Sequence, residues 1–246
     1  SARATVADGE RRVTVLHVRI VGLPEAAGSD NPAAVAATLR DFHAAMGRIV
    51  VGLGGTVGRT EGDAFEAYFG APLPGEDDAR KACLCAVRMQ SAARKLGVRS
   101  PAMRIGIASG TCLAGDLGIP GIPSYTVLGA ARDAAVILSS ACERFGAATL
   151  AAGPVWEEGG KELLARMLDR IPLPTHESPV RCFELVAELE GADLATIEAI
   201  RVFNEGLARL EGDDRMKAGE LFRHVLELLP GDGPAGIYAA RCRAGS

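Results

Sequence analysis

Aromatic side chains are scarce in this chain, 4% of 246 residues with a single tryptophan, and no apolar run approaches the length of a membrane span. A helix crossing a bilayer needs about 20 consecutive apolar residues, so no membrane segment is expected in this sequence. No signal peptide precedes the first apolar run either. An excess of one charge is also missing. The 27 Lys and Arg against 31 Asp and Glu leave a net charge of −4, which gives no reason to expect nucleic acid or an anionic membrane as partner. The six cysteines, Cys83, Cys85, Cys112, Cys142, Cys182 and Cys242, include no CxxC pair. They read as buried, reduced thiols in a cytoplasmic setting rather than as a disulfide framework. His43, His176 and His224 have no zinc-like spacing with them. No Ser/His/Asp or Cys/His nucleophile pattern and no Walker-type phosphate loop is present. The start at Ser1 rather than methionine reads as that of a piece of a longer protein, which leaves a membrane-anchored parent open.

What is there is an ordinary globular composition, 48% hydrophobic and 24% charged, enough for one large or two modest domains. Residues 12–21 are β-branched and apolar and predict a buried strand. Residues 32–52 carry apolar positions at helical spacing behind Asn31-Pro32, a cap followed by proline in the first turn, and Gly54-Gly55 ends the helix. Thr56-Val57 and Ala64 to Phe69 predict two strands joined by a turn at Glu61-Gly62-Asp63. Residues 76–96 predict an amphipathic helix with Ala79, Ala82, Cys83, Ala86, Val87 and Met89 inward. Met103 to Ser109 and Thr111 to Leu117 read as two further strands, 129–145 as a helix, and Val180 to Leu185 as a closing strand. The order β-α-β-β-α-β with extra elements predicts an α+β, ferredoxin-like sandwich over 10–188.

Beyond residue 188 the pattern becomes helical. Two segments within 195–229 flank Glu211-Gly212-Asp213-Asp214, and Gly206, Ala218, Phe222 and Pro230 are spaced by twelve, four and eight residues. That spacing resembles one tetratricopeptide repeat over 195–242; an ordinary terminal helical hairpin fits equally well. A lone unit cannot bury its own face, so it is expected to dock on the first domain, on a protein partner or on further repeats.

Several blocks of the first unit occur in a familiar order. They are Val13-Thr14-Val15-Leu16-His17-Val18-Arg19-Ile20, Gly54-Gly55-Thr56-Val57-Gly58-Arg59-Thr60-Glu61-Gly62-Asp63, Ala67-Tyr68-Phe69-Gly70-Ala71-Pro72, Arg104-Ile105-Gly106-Ile107-Ala108-Ser109-Gly110 with Ala114-Gly115-Asp116-Leu117-Gly118, and Ser124-Tyr125-Thr126-Val127-Leu128-Gly129. Together they resemble the class III adenylate/guanylate cyclase domain, the resemblance covering about 10–188. It implies cyclisation of a nucleoside triphosphate, the ribose 3′-hydroxyl attacking the α-phosphorus with two divalent cations (Mg or Mn) held by two aspartates. It also implies a dimer, homo- or heterodimeric, with sites at the interface and ATP as a candidate ligand.

Mapped on this resemblance, the first metal aspartate corresponds to Arg19, a charge reversal, and the second to Asp63. Arg59 stands at the base-recognising lysine, Thr126 at its polar partner, Asp133 at the ribose-positioning asparagine, and Ile137 at the transition-state arginine. Arg132 is five residues from Ile137 and does not simply replace that arginine. An Arg19–Asp63 ion pair is therefore expected in the old metal site. Plainer readings stand beside these. Asp63 suits a Gly-Asp turn, Arg59 a solvated strand edge, Thr126 and Ser124 a strand edge, Asp133 the helix dipole, and His17 a satisfied core histidine. The preferred expectation is a catalytically impaired cyclase homology domain serving as a dimerisation or regulatory module of a signalling protein, with no cofactor. An active or weakly active adenylate cyclase and a non-catalytic nucleotide-binding sensor are the alternatives.

Overall fold

The computed structural model describes residues 8–22, 28, 30–95, 103–119 and 124–244. Residue 96, at the end of the helix expected over 76–96, lies outside them. The first unit runs β1 (Gly9–Ile20), α1 (Pro32–Gly52), β2 (Thr56–Glu61), β3 (Ala64–Phe69), α2 (Asp78–Lys95), β4 (Met103–Asp116), β5 (Tyr125–Leu128), α3 (Ala130–Phe145), β6 (Thr149–Ala152), α4 (Gly153–Gly159), β7 (Leu163–Ile171) and β8 (Val180–Glu188). One sheet holds the strands in the order β2-β3-β1-β4-β6-β8-β7, with β5 paired to β4. The run β2-β3-β1-β4, antiparallel throughout, is the order expected of a ferredoxin-like βαββαβ unit.

Local chemistry explains most boundaries. The Asn31 carboxamide accepts from the Ala33 amide at 2.9 Å and Pro32 opens the first turn of α1. Gly54, at φ +80°, turns the chain out of that helix. α2 starts at Asp78 rather than at 76. Asp77 is left-handed, at φ 59°, which breaks the helix before it, and its carbonyl accepts the first helical bond from Lys81. All six residues expected to face inward from α2 are buried.

Two expectations need correction. Residues 103–117 do not form two strands with a turn at Gly110. β4 is continuous because β1 pairs with it without interruption from Gly9↔Ala114 to Ile20↔Met103. Gly110 instead lets α3 approach, since a Cβ there would lie 3.3 Å from that of Ala131. The segment between α3 and β8, left without assignment in the sequence, supplies β6, α4 and β7.

The tail is also more than a hairpin. It comprises α5 (Leu194–Glu211), α6 (Arg215–Leu228) and a third helix, α7 (Gly233–Ala244). Gly206 admits the Phe222 ring, where a Cβ would sit 3.0 Å from it, and Ala218 and Phe222 are fully buried. The tail docks on the first unit, with α5 against β7 and α7 against α3. Among the described residues no helix is long and apolar enough to cross a membrane.

Candidate functional site

Three central strands and α3 converge on one place. The register puts His17 of β1 opposite Glu66 of β3 and opposite Gly106 of β4. Residues opposite one another across a sheet share a face, and α3 covers this one. Gly106 makes the close approach possible, because a Cβ there would lie 2.0 Å from the Ala135 carbonyl oxygen and 2.4 Å from the Ser139 amide nitrogen. Both contacts are backbone, so any side chain would push α3 off the sheet.

Arg19 stands two residues beyond His17. The Gly62-Asp63 turn is pinned beside it by the Ile20 amide donating to the Asp63 carbonyl at 2.8 Å. Arg19 Nε donates to Asp63 Oδ2 at 3.2 Å, with the side chains 51% and 39% exposed. The expected ion pair is therefore present, at the surface rather than buried.

Behind it lies a buried network. Glu66 is 4% exposed, accepting from the Tyr68 hydroxyl at 2.5 Å and from Arg132 at 2.7 Å. Burial, and then the bond to Glu66, pushes the Tyr68 hydroxyl well above its ordinary value. The Glu66 carboxylate holds the Arg132 guanidinium in its charged form. Tyr68 fits because Gly58 leaves room, a Cβ there lying 2.2 Å from the ring. His17 is half-buried, its Nδ1 2.7 Å from the Ser139 hydroxyl. Burial lowers its imidazole below the ordinary value; Glu66 opposes that shift, while Arg132 and Arg19 add to it. The reading of His17 as a satisfied histidine matches this environment.

The remaining predicted residues are not drawn into the network. Arg59 pairs with Glu61 on the same strand at 3.0 Å, both exposed. Thr126 Oγ1 donates to the Ser124 carbonyl at 3.0 Å on β5. Asp133 is exposed in the first turn of α3 and 3.8 Å from Arg132, too far for a hydrogen bond. Ile137, one turn on, is 38% exposed and offers no polar atom. Glu66, Tyr68 and the pairing of Arg132 with Glu66 were missed in the sequence. The available signal was an acid and a phenol two residues apart in an otherwise apolar strand, which buries both on one face.

A divalent metal of the Mg or Mn kind is held by hard oxygen ligands, carboxylates foremost. Here Asp63 is engaged by a guanidinium and Glu66 by Tyr68 and Arg132, so the residues present do not fit such an ion. Among the described residues no group of three His, Cys, Asp or Glu is placed to hold one.

Residues 6–145 match the family model of the adenylate and guanylate cyclase catalytic domain. Adenylate cyclase 1 of Rhizobium meliloti (strain 1021) is 27% identical over 152 residues, 59% of this chain and 23% of that protein. An uncharacterized protein of Mycobacterium tuberculosis (strain ATCC 25618 / H37Rv) is 32% identical over 185 residues, 73% of this chain and 33% of that protein. The chain thus spans a third or less of the length of these curated relatives. The crystal structure of the guanylyl cyclase Cya2 shares the fold, with a TM-score of 0.63, 24% identity and coverage of 76% of this chain and 98% of that one.

Proposed function

This chain belongs to the adenylate and guanylate cyclase catalytic domain family, and we propose that its domain is a non-catalytic member serving as a regulatory and dimerisation module. The observation that carries the reading is the 3.2 Å contact from Arg19 to Asp63. The family reaction needs an activated 3′-oxygen and a neutralised triphosphate, work assigned to two cations between two carboxylates. A fixed guanidinium at that place repels a cation and occupies the remaining carboxylate. Asp133 adds negative charge where a triphosphate would approach. Ile137 supplies no donor to the transition state, and loss of one such donor alone typically costs about two to three orders of magnitude in rate.

Support for a dimer comes from β4 and β5. Leu113 and Leu128 stand opposite each other in the register and are 41% and 46% exposed, with Leu117 and Ile119 exposed farther along. Clustered exposed apolar residues mark an interaction surface. In sedimentation the protein is expected to run as a dimer, and Leu128→Glu as a monomer.

The catalytic reading is tested with purified protein, ATP or GTP, and Mn²⁺. No cyclic nucleotide above background is expected. Turnover that disappears in Asp63→Ala would overturn the proposal. Mn²⁺ is also expected to leave the melting temperature of the wild type unchanged and to raise that of Arg19→Asp, because a ligand stabilises only the state that binds it.

A further inference from the structure

The tail is fastened to the cyclase domain at the far end of the helix that covers the site. Arg166 of β7 is 3% exposed in its side chain and donates to both carboxylate oxygens of Asp232, at 2.9 and 2.8 Å. Its Nε donates to Glu184 of β8 at 2.7 Å, and its guanidinium lies 4.5 Å from the ring centroid of Phe203 on α5. Asp232 also accepts from the Ala235 amide at 2.8 Å, so the carboxylate that holds Arg166 starts α7 as well. Glu184 accepts in turn from the Ala148 amide, between α3 and β6. Burial pushes the Glu184 carboxyl up, while Arg166 opposes that shift.

The backbone is equally tight. Gly146 ends α3 at φ +61°, and a Cβ on Gly233, the first residue of α7, would lie 2.1 Å from its carbonyl oxygen. Arg241 of α7 lies over the rings of Phe145 and Tyr238, at 5.6 and 4.7 Å. The Tyr238 hydroxyl donates to the Leu168 carbonyl on β7. Phe145 is the last residue of α3 and is fully buried.

From α7 to the site the route is a single rigid element. α3 has 16 residues, about 24 Å at 1.5 Å per residue. One end is held by α7, and Glu184 holds the Ala148 amide just beyond it. The other carries Arg132, paired with Glu66, while Ser139, bonded to His17, lies just past the middle. In between, α3 touches the strand backbone at Gly106 with no side chain to absorb a shift. A close-packed contact of that kind transmits displacement rather than damping it.

We propose that the helical tail is a regulatory handle on the site: α7 and α3 respond as one body, so a partner that displaces α7 loosens the Arg132–Glu66 and His17–Ser139 contacts. Coupling between two sites is reciprocal, so an event at the site also alters how firmly α7 is held. The warrant is the contiguous packing of this chain, and it is independent of whether the domain turns over nucleotide.

Hydrogen–deuterium exchange of the full chain tests the coupling, because it reports local opening segment by segment. Asp232→Asn removes the charge that holds Arg166. It is expected to speed exchange about fivefold or more, the lower range of ordinary coupling, in peptides covering 130–139 and 16–20, with α1 unchanged. Asp213→Asn is the control: it makes the same change at an 88% exposed position of the tail and is expected to leave those peptides as they are. Faster exchange confined to the tail and β7 overturns the proposal, as does an equal rise across α1. Where Asp232→Asn does not fold, Tyr238→Phe, which removes only the hydroxyl bonded to Leu168, is judged by the same peptides.

Discussion

Arg19 meets Asp63 at 3.2 Å with both side chains well exposed, whereas Arg166 meets Glu184 and Asp232 at 2.7 and 2.8 Å with every side chain less than a tenth exposed. The groups are of the same kind and the distances are close. Their energetic meaning differs because water screens the first pair and is excluded from the second. The first pair bears on what the site can hold, the second on how the tail is held. Loss of the Arg19 contact is therefore expected to cost the fold little, and loss of one partner at the joint to cost it much.

The largest effect should come from breaking the buried cluster. Arg166→Met keeps length and apolar contact with Phe203 but leaves two buried carboxylates without a cation. Removing one member of a buried pair typically destabilises by about 3–5 kcal/mol, a large share of the usual 5–15 kcal/mol. Urea unfolding followed by circular dichroism is the measurement. A loss below about 1 kcal/mol would mean that water reaches this joint and that the two clusters are alike.

Next comes the seat of α3 between them. Gly106→Ala places a Cβ 2.0 Å from the Ala135 carbonyl oxygen, and backbone cannot rotate away as a side chain can. Overpacking of this sort costs about 1–3 kcal/mol, occasionally more. The same melts give the number. An unchanged melt would show that α3 slides freely on the sheet, contrary to its transmitting motion between the two ends.

The sequence makes β1 to β4, β8 and most of α1, α2 and α3 legible, because their apolar periodicity and turn residues agree with the final fold; β5, β6 and β7 are not read from it. Gly110 misled for a physical reason. It follows Ser109 as a turn residue would, but the unbroken pairing of β1 sets the path of β4, and the glycine serves the packing of α3. At the site, Arg19 and Asp63 could be paired from the family pattern alone. Glu66, Tyr68 and Arg132 could not, since their meeting depends on strand register and on the rotational phase of α3. Asp232 and Arg166 are 66 residues apart and belong to different units, and no local pattern connects them.

His17 offers an effect of intermediate size at the site end. Its imidazole is held below the ordinary value by burial, facing Glu66, Arg132, Arg19 and Asp63. A group depressed in the folded state binds its proton first in the unfolded chain. The stability it contributes is present above about pH 6.5 and lost as pH falls through the lower folded value, at most about 1.4 kcal/mol per pH unit for one proton. His43 is also lowered by burial and gives a background of the same sign. Melts of the wild type and of His17→Asn between pH 8 and 5 separate the two, with the variant expected to show the shallower decline. Equal slopes would mean that His17 does not titrate in this range and that the site end is insensitive to acid.

The smallest effect belongs to the residue that most changes the reading of the site. Arg19→Ala removes a half-exposed partner from a surface pair, and such pairs contribute about 0–1 kcal/mol. Added salt should shrink even that, because exposed charges are screened within about 10 Å at 0.1 M. The measurement is the difference in unfolding free energy between wild type and variant at low and at high salt. A difference above about 2 kcal/mol that persists in salt would place Arg19 with Arg166, as a group the fold depends on. A small, salt-sensitive difference would mean that the fold does not depend on the charge at this position, in contrast with the Arg166 joint.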